Sequence, residues 1–130
     1  MKLGGVHHLA LVVRDLAAMT RFYADGLGLA VVRRWDDAAG APRAVWLALD
    51  DHAFLALERP ASAETRGRRA DGDEGWHALA LSITREEREA VRERLRAIGA
   101  PVERESPYTL YARDPEGNLV AFSHYPDAAP

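Results

Sequence analysis

Five histidines and no cysteine set the chemistry open to this chain of 130 residues. Without thiols there is no disulfide framework, thiolate metal site, iron–sulfur cluster or cysteine nucleophile, so metal ligands would have to come from histidine, carboxylates and water. His8 and Glu58 are the groups best suited to moving a proton. An imidazole titrates near neutral pH, and either group could act as general base on a bound carbonyl compound in a dry cavity. His52 and His124 fall near strand ends and are expected to be solvated. Trp35, Trp46 and Trp76 could stack on a planar ligand, although core or subunit packing explains a tryptophan equally well. Gly26-Leu27-Gly28 carries Val31 where a dinucleotide fingerprint needs its third glycine, and it follows a helix, so it reads as a helix stop.

These residues need elements to position them. Leu9-Ala10-Leu11-Val12-Val13 is a short β-branched run. Asp15 after it can cap a helix with Leu16, Met19, Phe22 and Tyr23 on one face, ended by Gly26. Strands follow over 30–35, 44–49 and 53–57, with a polar turn from Asp36 to Pro42. From Glu58 to Gly75 the composition turns to Pro, Gly, Arg, Asp and Glu without a period, which marks a connecting loop. Then the order repeats. A strand over 79–83 precedes a capping box, Thr84 with Glu87, and a helix with Val91, Leu95 and Ile98 at helical spacing that Gly99 stops. Strands around Val102, from Tyr108 to Ala112 and from Leu119 to Phe122 complete it, the last two joined by the turn Asp114-Pro115-Glu116-Gly117-Asn118. The charged stretch from Arg85 to Arg96 is expected to be a solvated helix face, with Glu89 and Glu93 spaced to pair with arginines.

His7-His8-Leu9-Ala10-Leu11 lies over His77-Ala78-Leu79-Ala80-Leu81, and Phe54-Leu55-Ala56-Leu57 over Leu119-Val120-Ala121-Phe122. The chain is thus read as one domain, 1–130, made of a βαβββ module over about 4–59, a loop over 60–75 and a second module over about 76–126. One such unit cannot bury its sheet alone. A formal net charge of −3 offers no general attraction to nucleic acid or an anionic membrane. No apolar run reaches the roughly 20 residues that span a bilayer, and the first residues lack a signal-peptide core. A soluble cytoplasmic protein with neither a nucleic-acid nor a membrane partner is expected.

His8-Leu9-Ala10-Leu11-Val12-Val13-Arg14-Asp15-Leu16, then Phe22-Tyr23, Leu27-Gly28-Leu29 and Asp114-Pro115-Glu116-Gly117-Asn118-Leu119, resemble the vicinal oxygen chelate superfamily. It holds glyoxalase I, extradiol dioxygenases, fosfomycin-resistance transferases and bleomycin-resistance proteins. The resemblance implies an α+β fold of two paired βαβββ modules forming a cupped mixed sheet, in a homodimer. Metal-dependent members place ligands on the first and last strand of each module, and those positions are here His8, Ala56, Ala78 and Ala121. Three of them have no donor.

Two functions follow as expectations. The favoured one is metal-free binding of an aromatic or amphipathic small molecule, resembling the bleomycin-resistance branch. Strand alternation turns His8, Ala10, Val12, Ala56, Glu58, Ala78, Ala80, Ser82, Ala121 and Ser123 inward, leaving a roomy cup with His8 and Glu58 as polar handles, unless Trp46, Phe54 and Phe122 fill it. Tyr108, Tyr111 and Arg113 would stand at its rim, as in fosfomycin-resistance-like members. The alternative is a metal-dependent lyase, isomerase, transferase or dioxygenase in which His8, Glu58 and His77 hold Zn, Ni, Mn or Fe. That site needs a β-bulge to turn His77 inward; otherwise His7 and His77 both face away.

Overall fold

The computed structural model describes residues 1–62 and 70–127. The chain divides into two compact units, Met1–Pro60 and Ala61–Pro130. Part of the predicted connecting loop, residues 63–69, lies outside the described residues. Each unit carries one four-stranded sheet.

The first unit contains β1 (His8–Val12), α1 (Leu16–Thr20), β2 (Val31–Asp36), β3 (Pro42–Ala48) and β4 (Phe54–Glu58). Asp15 caps α1 as its sequence position suggests, its carboxylate accepting from the Ala18 N–H at 2.9 Å. After Thr20 the helix widens into a π turn over Arg21–Gly26, where the Leu27 N–H reaches back five residues to the Phe22 carbonyl at 2.9 Å. The chain leaves through Gly28, whose φ of +80° a residue with a side chain rarely adopts. Hence the stop lies two residues beyond the predicted Gly26. Leu16, Met19, Phe22 and Tyr23 are all buried, and α1 packs on β3 and β4. Val45, Leu47, Leu55 and Leu57, which share one face of those two strands, are buried as well, each burial of such a side chain stabilising by about 1.5–3 kcal/mol.

Strand order in this sheet is β1-β4-β3-β2, with β1 and β4 parallel and the other pairs antiparallel. Registered residues share a face, so three rows can be read across the strands on the side opposite α1. His8, Phe54 and Ala48 form the first row. Ala10, Ala56, Trp46 and Arg33 form the second, and Val12, Glu58, Ala44 and Trp35 the third.

The second unit repeats the plan with β5 (Leu79–Ser82), α2 (Arg88–Ala97), β6 (Arg104–Glu105), β7 (Thr109–Arg113) and β8 (Leu119–Ser123), in sheet order β5-β8-β7-β6. Thr84 and Glu87 make both capping-box bonds, at 2.7 and 3.3 Å, ahead of α2. Gly99, at φ +79°, follows its end. Pairing of the edge strand starts at Glu103, so β6 sits slightly later than the strand expected around Val102. Asp114 makes the predicted turn: its Oδ1 accepts from the Glu116 and Asn118 N–H groups at 3.0 and 2.9 Å, and Gly117 takes φ +83°. Among the described residues no helix is long and apolar enough to cross a membrane.

Two sequence expectations fail in this unit. Arg88 is not part of a solvated helix face but is buried, as is His124. The cause is a polar cluster under α2: Arg88 bonds Glu105, the Ser106 carbonyl and His124 at 2.8, 2.9 and 3.1 Å. The rest of α2 behaves as expected, with Arg92 on Glu89 and Arg96 on Glu93. Arg92 also reaches Glu105, and bonds from Arg92 and Arg88 hold the Glu105 carboxyl below its usual range.

Candidate functional site

The side of the first sheet that carries His8, Ala10 and Trp46 holds a run of rings. His8 lies flat on Phe54, centroids 4.9 Å apart and planes 8° from parallel. Phe54 stacks on Trp46 at 4.4 Å, and Trp46 meets Trp35 edge-on at 5.2 Å. The four rings cross the sheet diagonally, from the first row to the third. Beyond the last ring the Arg33 guanidinium lies 3.7 Å over the Trp35 face. Beside them are the alanines of the same rows: Ala44 and Ala56 are buried, Ala10 is exposed.

His7 joins this group, against expectation. One of the His7 and His8 Nδ1 atoms donates to the other at 2.8 Å, and the His7 ring also meets Phe54 edge-on at 5.7 Å. His7 precedes β1, so strand alternation does not bind it to the far face. His8 and Glu58, proposed as handles of one pocket, share the face but not the place. His8 is opposite Phe54 and Glu58 opposite Val12. Four residues along the strands separate them by about 13 Å. A ligand can span that distance; a shared proton cannot.

Of the remaining sequence candidates, Tyr111 and Ala121 face each other on one side of the second sheet, with Arg104 in the same row and its guanidinium 4.1 Å over the Tyr111 ring. Arg113 shares that side, but its guanidinium is held by Asp71, Glu103 and the Gly117 carbonyl. Tyr108 stands on the other side, its ring 5.9 Å from His124. Phe122, which would help fill the cup in the alternative to a roomy pocket, also turns away from Ala121's face, in register with Leu110. Ala78 and His77 are exposed just ahead of β5, and Trp76 is 87% exposed.

Arg33 and Arg104 escaped the sequence reading. Arg33 and Trp35 are two residues apart on one strand, the spacing that puts both on one face, and that signal was available. The pairing of Arg104 with Tyr111 is a contact between strands, which spacing alone does not reveal.

Ala56 and Ala121, at two of the four positions where metal-dependent members place ligands, are methyl groups 1% and 2% exposed. Among the described residues, no three or more histidine, aspartate and glutamate side chains are gathered to hold a metal ion. The residues present therefore do not fit the metal centre that the resemblance implies.

Residues 5–122 match the family model described as the Glyoxalase/Bleomycin resistance protein/Dioxygenase superfamily. No protein of curated function matches the chain. Among solved structures, lactoylglutathione lyase from Agrobacterium tumefaciens is similar at 25% identity over 95% of each chain, with a TM-score of 0.69. The protein SMU.1112c is similar at 27% identity over 94% of this chain and 99% of its own, TM-score 0.75. A mutant of the fosfomycin resistance protein FosX from Listeria monocytogenes, complexed with Mn(II), shares the fold at 20% identity over 95% and 94% of the two chains, TM-score 0.71. With both βαβββ modules in place and the matched region spanning 5–122, the chain belongs to the Glyoxalase/Bleomycin resistance protein/Dioxygenase superfamily.

Proposed function

We propose that the chain binds planar aromatic small molecules on the aromatic face of its first sheet and does so without a resident metal. The observation that carries this reading is the continuous series His8, Phe54, Trp46 and Trp35 beside the alanines Ala10, Ala44 and Ala56. Aromatic rings packed in series beside alanine methyl groups offer an apolar surface against which another ring gains burial and an aromatic contact. His8 closes one end of the series with a polar group, and Glu58 stands in the third row, about 13 Å further along the strands.

Calorimetric titration with a neutral bicyclic probe, 2-naphthamide, tests the reading. Saturable binding is expected, and Trp46→Leu, which keeps apolar bulk but removes the central ring, should weaken it about fivefold, the equivalent of one stacking contact of about 1 kcal/mol. Binding that is absent, or indifferent to Trp46→Leu in a protein that still melts cooperatively, would refute it. The metal-free part is tested separately. Stoichiometric Zn, Ni, Mn or Fe in protein purified without chelators, lost on His8→Ala, would overturn that part alone.

A further inference from the structure

The end of the ring series away from His8 is rich in donors and poor in acceptors. Arg33 is exposed, its guanidinium carbon stands 3.7 Å over the centre of the Trp35 ring, and it has no carboxylate partner among the described residues. Arg59, Arg88, Arg92, Arg96 and Arg113 by contrast all hold carboxylates. A guanidinium over a ring face still carries N–H groups in a planar fork that matches the two oxygens of a carboxylate. Trp35 adds a second sign of missing acceptors. Among the described residues its Nε1 is the one buried side-chain polar atom without a hydrogen-bond partner.

The same arrangement occurs in the other module. Arg33, Trp46, Ala56 and Ala10 stand in one row across the first sheet, and Arg104, Tyr111, Ala121 and Ala80 in one row across the second. Arg104 likewise rests on a ring, at 4.1 Å, and has no carboxylate partner among the described residues. An arginine on the edge strand, an aromatic next to it and two alanines beyond are therefore a property of the module.

We propose that the ligand of the first sheet's aromatic face is a planar aromatic carboxylate, with its ring against Trp46 and the exposed Ala10 and its carboxylate on Arg33. This rests on the reading that the face binds planar aromatics, and it adds the charge of the ligand. The row from Arg33 to Ala10 crosses three strand spacings, about 14 Å, enough for a bicyclic ring and its carboxylate. Glu58 does not oppose this placement strongly. It lies on β4, two spacings or about 10 Å from β2, which is about one Debye length at moderate salt.

The test compares 2-naphthoate with its neutral counterpart 2-naphthamide by calorimetry, on the wild type, Arg33→Gln and Arg33→Lys. The wild type should bind the acid at least about tenfold more tightly than the amide, the share expected of a charge-assisted, two-point contact. Arg33→Gln should remove that preference, so that acid and amide bind alike, and Arg33→Lys should keep part of it. Equal affinity for acid and amide, or a preference that survives Arg33→Gln, overturns the inference and leaves aromatic binding standing. Failure of both probes to bind the wild type overturns the two together.

Discussion

Replacing Arg88 by methionine tests the buried polar cluster under α2, because the network fixes which groups are left unpaired. The Asp127 carbonyl can only accept, so the His124 Nδ1–H donates to it at 2.7 Å and Nε2 is left as an acceptor for Arg88. Arg88 also serves Glu105 and the Ser106 carbonyl. Methionine keeps the apolar stem and withdraws the donors. Glu105 retains Arg92 at 2.8 Å, whereas His124 Nε2 and the Ser106 carbonyl lose a partner. At about 1–2 kcal/mol for each acceptor left unpaired, the loss should be about 3 kcal/mol. With an unfolding entropy of about 2.1 cal/mol/K per residue, a chain of 130 residues loses about 11 °C in Tm for that change if it melts in one step. Differential scanning calorimetry at pH 7 is the assay, with Arg88→Lys expected between the two. A drop under about 2 °C, or a rise, would refute the reasoning. It would mean that burying the guanidinium costs as much as its hydrogen bonds return.

Glu105, whose carboxyl lies below its ordinary value near 4.5 because of bonds from Arg92 and then Arg88, should support stability above that pH and lose the effect as pH falls through its folded value. Urea unfolding of the wild type and Glu105→Gln should therefore differ by a constant amount from pH 7 to about 5.5 and converge below about 4.5; a gap independent of pH would contradict this. Asp114→Ala should cost about 2–3 kcal/mol, since the Glu116 and Asn118 N–H groups lose their acceptor beside a residue only 3% exposed, and Asp114→Asn should restore most of it in the same unfolding assay.

Much of the fold was legible because local rules decide it. Period and capping place α1 and α2, and Asp15, Thr84 with Glu87, and Asp114 each make the hydrogen bonds that their positions suggest. What was not legible depends on partners distant in sequence. Arg88 and His124 are 36 residues apart, and nothing in the charge pattern of 85–96 marks one arginine as buried and its neighbours as solvated. His7 was misplaced because alternation was carried one residue past the point where β1 begins. Strand register explains the other difference. Alternation alone puts His8 and Glu58 on one face, but only the pairing of β1 with β4 shows them four residues apart along it.

The two alanines at the resemblance's metal-ligand positions take on a second meaning once register is known. Ala56 has Trp46 directly opposite, and Ala121 has Tyr111. Registered neighbours in an antiparallel pair hold their Cβ atoms about 5 Å apart, so a large ring on one strand leaves limited room for a long side chain on the other. A glutamate at either position would have to share that room with an indole or a phenol. The absent donors and the present rings are thus coupled through register in both modules, and each arrangement is completed by an arginine on the edge strand, Arg33 or Arg104. Both rows thus present π surfaces and guanidinium groups where the resemblance places carboxylates, and such groups pair with flat and negatively charged molecules.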